Sequence, residues 1–510
     1  MTAAADLVVT NADVHTLESP DATYEAVAIR DGELVRVGRA ADVEHLVGVE
    51  TRVIDCEGRV VLPGFIDAHT HLPMVGRSLV HADLSAADSV ADAVSLLRDR
   101  AEETDDDWVL GFGYDESTWD ESRYLTRDDL DTVSETAPVV AFREDLHTAG
   151  VNSVVLDSYA DEMPADGVQT DAGEPTGVVV EAAVDVLWKA TEPDREEMTK
   201  LVRAAQEYAT ARGVTGVHDM VRGSRAPEVY RDLAAAGELD LRVRINYWAD
   251  HLDALREVGL RTNHGSEFVA VGAIKTFTDG SIGGRTAKLS EPYADAPDET
   301  GQWVVAPDEL RAIVADADDA GYQLTAHAIG DEAIDAVLSA YAETENPDGS
   351  RHRVEHVELA SDDATERFSE LGVVASVQPN FLKWADEGGL YDARLGDRRR
   401  RTNRYRDLLD AGVELAFGSD CMPLAPLFGI DLATDHPNPA QSLTVTEALR
   451  AYTAGAAYAG FDDDRLGTVA VGTAADLVVL DESPWDAASI RDIDVTMTIV
   501  DGRVVFDGRA

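Results

Sequence analysis

Between residues 63 and 465, short apolar runs alternate with stretches of helical periodicity. The runs are GFIDAHTH, GVTGVHDM, LRVRINYW, FVAVGAIKTF, YQLTAHAIG, HRVEHVEL, GVVASVQPN and VELAFGSD. Short apolar runs of this kind read as strands. DELRAIVADADDAG, just before YQLTAHAIG, carries its apolar residues at helical spacing. Repeated strand–helix units predict a parallel sheet, and eight of them predict a closed (β/α)8 TIM barrel. The first gap, residues 75–212, is far longer than one crossover helix needs. It predicts an inserted lobe after strand 1, placed to cap the barrel mouth.

The ends of the chain have a different texture. DLVVTN, YEAVAIRDGELVRVG and TRVIDCEGRVVLPG are strand-like and broken by Asp-Gly and Glu-Gly turn signals. The same pattern returns in ADLVVLDE and VTMTIVDGRVVFDG. Residues 1–62 and 466–510 are therefore expected to form one small β-sandwich, with the barrel of residues 63–465 inserted into it.

Charge changes the picture of the surface. Asp and Glu number 98 against 43 Lys and Arg in 510 residues, a formal net charge of -55. The acids are dispersed through the chain, and Lys is scarce. Repulsion of this size opposes compaction at low ionic strength and is screened in molar salt. The composition thus reads as halophilic, that of an acidic proteome in a salt-rich cytoplasm. It excludes a nucleic-acid footprint, which requires basic patches. No apolar stretch is long enough for a membrane span, and the N-terminus lacks a secretory pattern, so a cytoplasmic location is expected. The two cysteines, Cys56 and Cys421, cannot build a disulfide framework.

The polar residues in the apolar runs carry the chemistry. Active sites of such barrels lie at the C-terminal strand ends. His69 and His71 close the first run, Lys275 lies in the fourth, His327 in the fifth and His356 in the sixth, and Asp420 ends the eighth. Imidazoles at i and i+2 of a strand share one face. Together with the later His and Asp they suit Zn2+, which takes nitrogen and carboxylate ligands and keeps a position open for catalysis. Lys275 joins such a set as a carbamate formed with CO2, an anionic ligand able to bridge two metals. Burial would lower its pKa enough for that reaction. A structural ion pair or a substrate contact is the plainer alternative for Lys275. Asp67 and His218 are expected to support the ligands without joining them.

VVLPGFIDAHTHL, HAIGD, RVEHVEL and FGSD resemble the metal-dependent amidohydrolase superfamily, and GTVAVGTAADLVVLD is similar to its returning sandwich strand. GFGYDESTWDESRYLTRDDLD, DLHTAGVNSVVL, GEPTGVVVEAA, KTFTDGSIGGRTAKLSEPY and LTVTEALRAYTAGAAYAGF narrow the resemblance to amidohydrolase family 3, the YtcJ-like branch that includes N-substituted formamide deformylase. The resemblance implies a site of His69, His71, Lys275, His327, His356 and Asp420, holding one or two divalent metals, and a homodimer as the assembly. It implies hydrolysis of a non-peptide C–N bond, an amide or a formamide, by metal-activated hydroxide with Asp420 as general base. His147, Arg285 and Asp115 are the expected contacts to a small-molecule substrate, with loop packing or a surface ion pair as alternatives. The sequence departs from the family where LHT stands in place of GHS and where the segment after GSDCMPL is short. A mononuclear deaminase of a small heterocycle is the second reading, and a metal-free binding or scaffold protein is a third from another class.

Overall fold

A computed structural model describes residues 4–104, 107–144 and 147–509. Eight parallel strands form one sheet in sequential order. They are β1 (Phe65–Thr70), β2 (Val214–Val221), β3 (Arg242–Trp248), β4 (Val269–Phe277), β5 (Leu324–Ala328), β6 (Arg353–His356), β7 (Val374–Val377) and β8 (Leu415–Phe417). Each coincides with one of the eight apolar runs. Every residue of β1, β2, β5, β6, β7 and β8 is buried, which explains why these runs show no alternation.

The sheet closes on itself just beyond β8. The amides of Ser419 and Asp420 donate to the His69 carbonyl at 3.1 and 2.7 Å. The Ser419 amide also donates to Asp67 Oδ1 at 2.9 Å, and the His69 amide donates to the same oxygen at 3.1 Å. Asp67 thus clamps the seam. Gly418 is required there. A Cβ at this position would stand 2.4 Å from His69 N and 2.8 Å from His69 Cβ, so only a bare backbone lets β8 approach β1 this closely.

The termini build two further sheets around a shared apolar core that includes Val9, Val27, Val61, Leu477 and Ile499. One sheet has four strands, Glu33–Gly38, Ala26–Arg30, Leu7–Thr10 and Arg52–Asp55. The other has six and joins Val60–Pro63 to the C-terminal Leu477–Leu480 in antiparallel register. Buried Arg242, at the start of β3, pairs with Asp476 at 2.6 Å and ties this layer to the barrel.

Pro73–Ala205 is a separate compact unit. Its six-stranded sheet runs Val168–Asp171, Glu174–Val180, Thr148–Val151, Val139–Arg143, Val109–Tyr114, Ala82–Asp83. An aromatic stack of Phe112, Phe142 and Trp188 packs within it, the Phe142 and Trp188 rings 4.2 Å apart. Among the described residues no helix is long and apolar enough to cross a membrane.

Candidate metal centre

β1 delivers His69 from its interior and His71 from just past its end. Their ring centroids lie 5.8 Å apart. Asp420 faces both, its Oδ1 3.5 Å from His69 Nε2 and 3.3 Å from His71 Nε2. One ligand atom from each of the three lies within 4.8 Å of the others. His356 extends the group, its ring 5.1 Å from His69 and 4.5 Å from His327. The strand ends therefore bring His69, His71, His327, His356 and Asp420 into one cluster.

Backbone strain concentrates here. Asp420 and Cys421 have φ of 51° and 56°, and His356 and Val357 have 75° and 52°. Left-handed conformations are unfavourable for residues with a Cβ and most of all for β-branched Val, and they persist where surrounding structure enforces them. At β6 the kink has a consequence. In a regular strand Glu355 and His356 would point to opposite faces. The turn into left-handed space lets Glu355 reach the His69 ring while His356 still joins the cluster.

Burial governs the electrostatics. Lys275 is 1% exposed, and desolvation pushes its ammonium down to about 8 against the opposing pull of Glu355 and Asp420. Its Nζ lies 5.2 Å from the Phe277 ring and 5.9 Å from that of Trp248. Burial likewise lowers His327 to about 3 and His356 well below the ordinary imidazole range. Burial would raise Asp420, yet the imidazoles of His69, His71 and His356 outweigh it and hold the carboxyl well below its usual range. The Cys421 thiol is pushed well up by burial and by the Asp420 charge, which removes it as a nucleophile at neutral pH.

Supporting groups surround the cluster. His69 Nδ1 lies 2.6 Å from Glu355 Oε2, and His71 Nδ1 lies 3.2 Å from the Met220 carbonyl. His327 Nε2 lies 3.0 Å from the Gly280 carbonyl. Asp279 shapes the loop after β4 by accepting from the amides of Lys288, Ile329 and Gly330. His218 stays out of the cluster, and its Nδ1 accepts from Arg353 at 2.8 Å. Phe277 stacks on His327 at 4.3 Å and Phe381 lies parallel to His356 at 5.9 Å, giving these two rings apolar walls. Sequence reasoning did not single out Glu355, Arg353, Phe277 or Phe381. The one available signal was charge inside RVEHVEL, a run otherwise suited to a dry strand.

The expected substrate contacts sit as follows. Arg285, on the loop after β4, is one-third exposed and pairs with Asp295 at 2.7 Å, which also meets Arg394. Asp115 and His147 belong to the other unit. Asp115 caps the Glu116–Thr118 turn and lies 3.0 Å from Arg143. His147 is exposed, its Nδ1 3.3 Å from Glu181.

A family model described as an amidohydrolase family matches residues 52–506. The chain is 30% identical over 520 residues to the putative amidohydrolase YtcJ of Bacillus subtilis (strain 168), covering 96% of this chain and 97% of that one. It is 27% identical over 545 residues to N-substituted formamide deformylase of Arthrobacter pascens, covering 99% of each. The crystal structure of an uncharacterized metal-dependent hydrolase from Pyrococcus furiosus matches with a TM-score of 0.82 at 30% identity, covering 94% of this chain and 100% of that one.

Proposed function

The chain belongs to the amidohydrolase family and is a metal-dependent hydrolase of that type; from this premise we propose that it cleaves a non-peptide C–N bond in a small molecule, an amide or an N-substituted formamide. The family relative that acts on N-substituted formamides supports the bond class. The observation that carries the reading is the convergence of His69 Nε2 and His71 Nε2 on Asp420 Oδ1 at 3.5 and 3.3 Å.

The donor set fits a divalent cation. It offers imidazole nitrogens and a carboxylate, and among the described residues buried His356 Nδ1 has no hydrogen-bond partner, a position whose desolvation a bound ion would offset. His69, His71, His327, His356 and Asp420 would hold the metal, zinc in this reading, with Lys275 as a carbamate where two ions are bound. When present, such an ion supplies a Lewis acid for the carbonyl and lowers the pKa of water toward about 7.

The remaining work falls to this chain's residues. Asp420, fixed through its own amide to the His69 carbonyl at 2.7 Å, takes a proton from the attacking water and delivers it to the leaving nitrogen. Phe277 and Phe381 back the ligand rings and exclude bulk water from the reacting atoms. Arg285, on the loop after β4 in the same unit as the cluster, serves as a contact to the substrate.

Asp420→Asn, assayed on a panel of amides and formamides, should lose at least about a hundredfold in kcat while the fold is retained. Near-normal turnover removes Asp420 from the mechanism. A second reading, a mononuclear deaminase, draws on the tightness of the His69, His71 and Asp420 group, whose ligand atoms lie within 4.8 Å of one another. Ammonia released from a nucleobase panel, with no hydrolysis of amides, would select it.

A further inference from the structure

Beneath the cluster the barrel interior holds an ion pair that the proposed chemistry does not use. Arg353 and Glu355 of β6 are both wholly buried. An ion pair so placed is costly unless every polar atom finds a partner. Arg353 Nε donates to Glu355 Oε1 at 3.0 Å, and Nη1 donates to His218 Nδ1 at 2.8 Å. Arg353 Nη2 donates to the Ala68 carbonyl at 2.5 Å and to Ser376 Oγ at 2.9 Å. The Thr325 hydroxyl also donates to Glu355 Oε1. One carboxylate oxygen is thereby committed to the barrel.

The other oxygen, Oε2, meets His69 Nδ1 at 2.6 Å. A carboxylate with Arg353 and Thr325 already donating to it can only accept, so the proton of the His69 ring sits on Nδ1. The lone pair is left on Nε2, the atom that faces Asp420 at 3.5 Å. The neighbours of Arg353 lie on β1 (Ala68), β2 (His218) and β7 (Ser376), so the orientation of one ring is referred to four strands. Resting on the metal reading given above, we propose that Glu355 is a positioning residue for the metal centre: it fixes the tautomer and orientation of His69, and Arg353 fixes Glu355.

The test measures metal affinity. The full-length protein is stripped with a chelator, and its Zn2+ Kd is found by competition with a chromophoric chelator. Glu355→Gln keeps the shape but replaces one acceptor oxygen with an NH2 group, which must face either His69 or the Arg353–Thr325 side. The expected result is a Kd weaker by about 10- to 100-fold. In a His69→Ala background the same substitution should change Kd by less than about twofold, because Glu355 acts through that ring. An unchanged Kd for Glu355→Gln, or equal weakening with and without His69, overturns the inference. Absence of Zn2+ binding by the wild type overturns the metal reading and this inference with it. Should Glu355→Gln not fold, ring-15N histidine NMR of the metal-free wild type decides, with His69 assigned through His69→Gln. A neutral ring protonated at Nδ1 supports the proposal, and one protonated at Nε2 overturns it.

Discussion

Gly418→Ala is a perturbation of a single methyl group whose effect follows from three distances. The added Cβ would stand 2.4 Å from His69 N, 2.8 Å from His69 Cβ and 3.0 Å from Asp67 Oδ1. Two of these atoms belong to the β1 backbone or its first side-chain carbon, so no rotamer change relieves the overlap. Ordinary contact needs about 3.4 Å or more, so the seam must open by close to an ångström. Overpacking of this kind costs about 1–3 kcal/mol. Function should suffer more than stability. Asp420 lies two residues further on and is held by its amide to the same His69 residue at 2.7 Å, so opening the seam separates the groups proposed to hold the metal. A displacement near 1 Å is expected to lower kcat about a hundredfold. The assay pairs thermal unfolding with Zn2+ affinity and turnover, and Gly216→Ala in β2 is the control. There an added Cβ meets nothing nearer than 3.5 Å, and both readouts should stay close to wild type. Wild-type Zn2+ affinity and turnover in Gly418→Ala would refute the claim that the β8–β1 seam sets the metal geometry.

Two further outcomes are expected. His352 and His436 are both pushed down to about 4, chiefly by burial. Since their unfolded value is near 6.5, the unfolded state binds more protons between pH 6.5 and 4, and stability falls as pH falls through that window. The gap is worth at most about 3 kcal/mol for each ring, all of it present above pH 7. Melts in molar KCl should show the loss, and a midpoint that does not change between pH 7 and 4.5 would contradict it. Salt should act through the net charge of -55. Raising KCl from about 0.1 to about 1 M shortens the Debye length from about 10 to about 3 Å, so the melting temperature should climb steeply. A flat response would contradict halophilic adaptation.

The barrel was legible because parallel strands covered on both faces must be apolar throughout, and the eight runs stand out against helical and acidic surroundings. That these side chains would come together was legible because His69, His71, His327, His356 and Asp420 interrupt such runs at their C-terminal ends, where polarity has no packing reason. Glu355 was hidden by a rule that usually holds. Beside His356 on a strand it should face away, and only the left-handed φ of His356 and Val357 brings both into the interior. No local pattern announces that kink. Gly418 was equally silent, since its need arises from β1, about 350 residues earlier in the chain. In the 73–205 unit, strand order was illegible for a related reason: Val109–Tyr114 pairs in parallel with Val139–Arg143, a contact set by tertiary packing and without a turn signal.

The most direct test of the central claim is metal content. Elemental analysis of the full-length protein, purified and reconstituted in molar KCl, should find one or two divalent ions per chain, and His71→Ala should lose at least one of them. A 13C signal at the carbamate position after exposure to 13CO2, absent in Lys275→Ala, would accompany the two-ion state. No bound metal after reconstitution, or equal metal in the wild type and His71→Ala, would contradict the account.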